Sequence, residues 1–329
     1  MSRVAITGAS GLLGGNLAAL VSASGHKVVA TRRAGSQVKH LADLAIEWAD
    51  AELGSVPALT KAFAGCEVVF HCAAAVTIKR EVTPEMTAAN VTGTANVIEA
   101  ARAAKVKRLV HTSSVVAVGL STDGKPCDES ARWNFDTEGL LDAYAITKRQ
   151  AEDVVNNARE TIDAVVVNPT FMFGPRDARP SSGQLIVDVV KRKMPGWTRG
   201  YNNFVDVRDV ARGMIAAWQK GRRGERYILA GHDMTYADCM REIARVAGVK
   251  PPRFPVPRPC GWSASGAISS SRAGRNRCST RRRSATRSRT SSGSRAPRPR
   301  ASSATQSVRW SPRSATRSTG FVQTTCCEL

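Results

Sequence analysis

The sequence predicts an α/β protein: a doubly wound parallel sheet with a small C-terminal lobe, followed by a disordered tail. Three observations carry this. Over residues 1–256 short apolar runs alternate with longer amphipathic segments, separated by Gly- or Pro-bearing joints. That alternation is the pattern of parallel strands joined by crossover helices. A Gly-rich turn follows the first apolar run directly and opens the first helical segment. Beyond about Pro255 the texture changes to Ser, Arg, Ala, Pro and Thr, and apolar periodicity stops.

Taken in order, the strands are expected at Arg3–Thr7, Lys27–Thr31, Ala45–Trp48, Val68–Cys72, Arg108–Thr112, Ala164–Asn168 and Arg226–Leu229. Each is a run of about five β-branched or apolar residues bounded by turn residues. Helices are expected at Leu12–Ser24, Val56–Phe63, Thr87–Ala104, Tyr144–Ala158, Val205–Gln219 and Tyr236–Ala247, where apolar positions recur at helical spacing. Residues 1–168 form the first domain. Residues 169–256 add lobe elements interleaved with the last strands and helices, and 257–329 form the tail.

The 329 residues suffice to bury a substantial core. No apolar run approaches the length of a membrane span, and no charged-then-apolar leader precedes Arg3, so a cytoplasmic protein is expected. The eight cysteines lack metal-ligand spacing and read as free packing residues. The formal charge of +21 is concentrated in the tail: residues 257–329 hold 15 Arg and one acid, Glu328. Apart from Trp262, Trp310 and Phe321 the tail has no aromatic interleaving, so no specific nucleic-acid partner is expected.

Two readings of the tail stand. One is a basic segment too polar to offset its ordering entropy. The preferred one is translation out of frame. With permitted codons, regrouping the third base of each codon with the first two of the next turns Ile268–Arg287 into LEQQGRKEPLLNAAAIRYA. The same offset ends on a stop overlapping Cys327–Glu328. One constant offset thus yields amphipathic helices and a terminator.

Four motifs carry chemistry. Thr7-Gly8-Ala9-Ser10-Gly11-Leu12-Leu13-Gly14-Gly15 lies between a strand and a helix. Its glycines permit a tight turn and close approach to a pyrophosphate, and the helix N-terminus supplies N–H donors. This is the mark of a Rossmann domain. The second expected strand ends Thr31-Arg32-Arg33 with no acid to accept from ribose hydroxyls. An arginine there suits a 2′-phosphate, favouring NADP over NAD, although two solvated arginines with NAD accepted remain compatible. Tyr144-Ala145-Ile146-Thr147-Lys148 places a phenol and an ammonium on one helix face. A nearby cation favours phenolate, bringing the tyrosine closer to proton transfer near neutrality. Thr112-Ser113-Ser114 closes a strand about 30 residues earlier, where a doubly wound sheet places its ligands.

With Phe70–Ala74, Asn90–Thr94, Asn168-Pro169 and Phe204–Ala211, these motifs resemble the extended short-chain dehydrogenase/reductases. The likeness is to the NAD-dependent epimerase/dehydratase branch, near dihydroflavonol-4-reductase-like proteins and hopanoid-associated sugar epimerases. It spans about residues 3–256. The resemblance implies an oxidoreductase or epimerase moving a hydride between nicotinamide and a small-molecule substrate. Tyr144 would be the acid/base, Lys148 the ribose-binding residue that lowers its pKa, and Ser114 the group orienting the substrate oxygen, with Ser113 as fallback. Gly8, Ser10, Gly11, Leu12, Leu13, Gly14, Arg32 and Thr112 would line the dinucleotide site with Tyr144 and Lys148. Asp50 would lie near the adenine, where the family's Gly-Asp is Ala49-Asp50. Ala73 and Ala74 would line the dinucleotide path and Pro169 would sit against the nicotinamide. Asn90 is implied as structural or active-site, and Asp206–Ala211 as part of the substrate lobe. Family members also suggest a homodimer through Thr87–Ala104 and Tyr144–Ala158. A non-catalytic NADP-sensing regulator on the same fold is the alternative.

Overall fold

The computed structural model describes residues 1–77, 80–122 and 126–256; the tail and both readings of it lie outside these. The main sheet is built from β1 (Arg3–Thr7), β2 (Lys27–Arg32), β3 (Ile46–Asp50), β4 (Val68–His71), β5 (Arg108–Thr112), β6 (Ala164–Pro169) and β9 (Arg226–Leu229). Their order is β3-β2-β1-β4-β5-β6-β9, and every pairing is parallel. The strand interiors are Val-, Ile- and Ala-rich and almost wholly buried, as a sheet covered on both faces requires.

Helices α1 (Leu12–Ala23) and α7 (Val207–Lys220) cover one face. Val207, Val210, Ala211, Met214 and Ala217 recur at helical spacing and share a core with Leu13, Leu17 and Val21. On the other face α2 (Val56–Phe63), α4 (Gly93–Ala103) and α5 (Ala143–Asn157) enclose Leu59, Phe63, Val97, Leu109 and Val155. Order reverses between β1 and β4, so a crevice opens at their carboxyl ends.

The expected strands are all present, with ends shifted by a residue or two. Three differences matter. A second, three-stranded sheet joins β7 (Phe171–Phe173), β8 (Tyr201–Asp206) and β10 (His232–Thr235) in the order β10-β8-β7. With α6 (Gln184–Val190) and α8 (Tyr236–Val246) it makes the small lobe around Phe204, Leu185 and Met240. The helix expected over Thr87–Ala104 is broken: a one-turn α3 (Pro84–Thr87) leads into a π-helical stretch, Ala88–Thr92, before α4. Finally, the Asp206–Ala211 segment does not belong wholly to the lobe. Asp206 ends β8, but Val207–Ala211 begins the helix that packs on α1, because its apolar face matches the main core.

Candidate active site

The Gly-rich turn is built for close approach. Gly8 has φ +73°, and a Cβ there would lie 2.6 Å from the Ala73 nitrogen. A Cβ on Gly14 would lie 2.3 Å from the Gly8 carbonyl oxygen, so the turn closes directly on the first helical coil. At Gly11 the only neighbour of such a Cβ is the Gly8 oxygen, 3.4 Å away, leaving open space on the outer side. No side chain caps the N-terminus of α1. Uncapped N–H groups beside an open glycine cradle fit a pyrophosphate. Ser10 and Leu12 are half-buried there; the Leu13 side chain is in the core, so only its main chain can serve a ligand.

At the edge of the sheet Arg32 and Asp50 face each other in register. Arg32 Nε donates to Asp50 Oδ1 at 2.8 Å, and the guanidinium lies 5.7 Å from the Trp48 ring. An acid therefore stands at the end of β2 after all, contributed by the neighbouring strand and paired to the arginine. Ala73 is half-buried and Ala74 exposed beyond the end of β4, while Pro169 is buried at the end of β6.

Around β5 the consecutive residues diverge, as strand geometry demands. The Thr112 hydroxyl donates to Cys72 Sγ at 3.5 Å, and the Thr112 carbonyl accepts from Lys148 Nζ at 2.6 Å. The Ser113 hydroxyl points away and donates to Glu152 Oε2 at 2.5 Å. Ser114 Oγ accepts from the Val116 N–H at 3.4 Å, and its hydroxyl draws the Tyr144 phenol toward the ionised form.

Helix α5 starts at Asp142, whose side chain accepts from the Ala145 N–H at 2.8 Å. Tyr144 and Lys148 follow on one face. The phenol sits above its ordinary pKa: burial raises it most, the Ser114 hydrogen bond opposes this, and the Asp142 charge adds to the rise. This direction, set by burial, differs from the lowering that the family likeness implied for Lys148, whose ammonium donates to the Thr112 carbonyl. Lys148 itself is pushed down to about 8 by burial, against the raising influence of Glu152 and Cys72.

Beneath these groups lies a polar layer that the sequence analysis only touched. Thr94 donates to the Asn90 carbonyl at 2.6 Å, so His71 Nε2, 3.1 Å from Thr94 Oγ1, carries the imidazole proton. His71 Nδ1 then accepts from Thr7 Oγ1 at 2.7 Å. Burial holds His71 down to about 3, and lowers His111, 5.3 Å away ring to ring, well below its ordinary value. The Asn90 amide is tied to the Ala75 main chain and donates to Thr147 Oγ1 at 3.1 Å, a structural link between the π-helical stretch and α5. Glu152 and Asn168 are wholly buried beside Lys148 and Ser114; their part was not singled out from sequence.

The comparisons agree with this architecture. The model of the NAD dependent epimerase/dehydratase family matches residues 4–230. A putative dihydroflavonol 4-reductase of Synechocystis is 34% identical over 258 residues, covering 77% of this chain and 74% of that protein. Sterol demethylase protein B of Methylococcus capsulatus is 36% identical over 254 residues, covering 77% and 76%. Among solved structures, gox2253 superposes with TM-score 0.71 at 33% identity, covering 78% of each chain. Vestitone reductase from alfalfa superposes with TM-score 0.63 at 25% identity, covering 76% and 84%. The fold, the glycine cradle and these matches together make the chain a member of the NAD-dependent epimerase/dehydratase family, whose enzymes are nicotinamide-dependent oxidoreductases, epimerases and dehydratases.

Proposed function

We propose that the chain is a reductase of small-molecule carbonyl compounds, with Tyr144 as the acid/base. The single observation that carries this is helix α5 presenting Tyr144 and Lys148 one turn apart, with the Lys148 ammonium on the Thr112 carbonyl at the end of β5, two residues before Ser114. The similarity to a reductase of dihydroflavonols and to vestitone reductase supports reduction over epimerisation.

When bound, the nicotinamide supplies the hydride. The chain's own residues do the rest. The raised phenol is fully protonated at neutral pH, the form needed to give a proton to a carbonyl oxygen as it becomes an alkoxide. Ser114 shares its hydroxyl between that oxygen and the phenol. Lys148 binds the ribose hydroxyls, and Gly8–Gly14 with Ser10 and the main chain of Leu12 and Leu13 hold the pyrophosphate. Ala73, Ala74, Thr112 and Pro169 wall the path to the ring.

NADP is the preferred cofactor. Arg33 is exposed and lines a cleft of about 630 Å³ with Ser36, Gln37 and Arg179, beside the paired Arg32 and Asp50. Glu52 lines the same cleft, and two guanidinium groups against that one carboxylate leave a net positive edge that suits a 2′-phosphate. Cys66, Cys72 and Cys239 are free thiols, in keeping with a reducing cytoplasm. Among the described residues no helix is long and apolar enough to cross a membrane.

The test is Tyr144→Phe, assayed by NADPH oxidation with a panel of aromatic ketones and aldehydes. Turnover should fall by roughly 10²–10⁴-fold while fluorescence titration shows NADPH bound as before. Undiminished turnover would remove the tyrosine from the chemistry. Retained binding by a wild-type chain without turnover on any member of the panel would favour a sensor.

A further inference from the structure

Glu152 is 0% exposed, yet it carries a carboxylate into the layer between α5 and the sheet. Oε2 accepts from Ser113 Oγ at 2.5 Å and from Asn168 Nδ2 at 2.9 Å. Oε1 accepts from Arg226 Nη1 at 3.2 Å. These three donors come from the ends of β5 and β6 and from β9. Asn168 Nδ2 also donates to the Ser114 carbonyl at 3.0 Å, so one amide joins the carboxylate to the residue that meets the phenol. Lys148 sits one turn earlier on the same helix. Stability does not explain this choice. A buried ion pair commonly does no better than an apolar replacement of the same volume, because desolvation cancels the attraction.

We propose that Glu152 is a positioning residue: it gathers Ser113, Asn168 and Arg226 to fix the strand ends bearing Thr112 and Ser114, and supplies the counter-charge for Lys148. The inference rests on the reading of Lys148 as the cofactor-binding cation. The titratable groups that act on Lys148 or feel its charge are Glu152, one turn on along α5, His71 and Cys72 at the end of β4, and His111 on β5. The histidines are held neutral and the thiol protonated, with Cys72 pushed up to about 11 by burial. Of these neighbours Glu152 is therefore the one that opposes the burial of the ammonium with a full charge. Arg226 faces Glu152 from the far side and competes for that charge; it is also held by the carbonyls of Glu129 and Ala131, so it stays in place when Glu152 changes.

The experiment follows NADPH affinity by fluorescence from about pH 6 to 10, needing no substrate. Wild-type affinity is expected to fall as Lys148 deprotonates, with a midpoint near its value of about 8. Glu152→Gln removes the charge and should move the midpoint down by about one unit or more. Arg226→Met, which frees the carboxylate for Lys148, should move it up. Glu152→Asp keeps the charge and should stay closer to wild type than Gln does. A thermal melt of each variant shows it folded; the opposite sign at Arg226 carries the test if the Gln variant is not. If the wild-type midpoint is present, lost in Lys148→Met, and unmoved by changes at both Glu152 and Arg226, the proposal fails while Lys148 keeps its role. If the wild type shows no alkaline loss, or Lys148→Met keeps it, the reading of Lys148 fails and this inference falls with it.

Discussion

The Tyr144 phenol stands between two neighbours that pull it in opposite directions, Ser114 toward ionisation and Asp142 against it. Asp142→Asn removes the negative charge and leaves an oxygen to cap the helix. The phenol should then ionise at lower pH, read as a downward shift in the Tyr144 component of an alkaline absorbance titration, identified against Tyr144→Phe. An unchanged titration would show that the Asp142 charge does not reach the ring. Gly14 makes a sharper claim. Its Cβ would overlap the Gly8 carbonyl at 2.3 Å, a backbone atom that cannot swing aside. Gly14→Ala should abolish NADPH binding or prevent folding, whereas Gly11→Ala, with only one contact at 3.4 Å, should fold normally. Normal NADPH affinity in Gly14→Ala would contradict the tight turn. Both positions were legible in the sequence, because turn chemistry and i,i+4 spacing are local codes. The partners of Glu152 were not. They lie 39, 16 and 74 residues away, and nothing in the spacing of Ser113, Asn168 and Arg226 tells that one carboxylate collects them.

Helix α5 is the element on which the site depends, since it carries Tyr144, Thr147, Lys148 and Glu152. Its start is fixed by Asp142 accepting from the Ala145 N–H. Asp142→Ala should destabilise the protein by about 1 kcal/mol in urea unfolding, and Asp142→Asn by much less. Equal losses in both would point to the charge rather than the cap. The same contrast of local and tertiary signals explains which elements the sequence revealed. The seven parallel strands announce themselves as buried Val-rich runs, such as Val165-Val166-Val167. The small sheet does not. Its strands are short, and Asn202, Asn203, His232 and Asp233 break the apolar alternation. They become strands by pairing with one another, with Asn203 Nδ2 donating to Asp233 Oδ1 across the register at 2.9 Å. The π-helical stretch is equally silent in sequence; Asn90 occupies it because its amide closes on the Ala75 main chain.

Over the whole molecule, two buried histidines set an acid limit. His71 is held down to about 3 and His111 well below its ordinary value, both by burial first and then by the Lys148 charge. Their folded values lie below the unfolded one, so the unfolded chain binds more protons between the two. Stability is therefore full above about pH 6.5 and falls as pH drops below it. His71 should contribute a loss of about 2 kcal/mol between pH 7 and pH 5, before most carboxylates titrate, and His111 a loss of the same sign. In urea unfolding His111→Leu should narrow the difference in stability between those two pH values; an unchanged difference would mean His111 does not stay neutral. The remaining question at this scale concerns the small lobe. Val246 is 72% exposed and Phe254 56%, with Val190 and Tyr201 also open, large apolar surface for one lobe. If residues beyond about 258 are read out of frame, the chain that should cover this lobe is replaced by an Arg- and Ser-rich one. Restoring the frame from about codon 258 should then raise the melting temperature, lower binding of a hydrophobic dye and increase reductase turnover, while NADPH affinity changes little. Equal melting, dye binding and turnover in the two chains would dismiss the shifted frame.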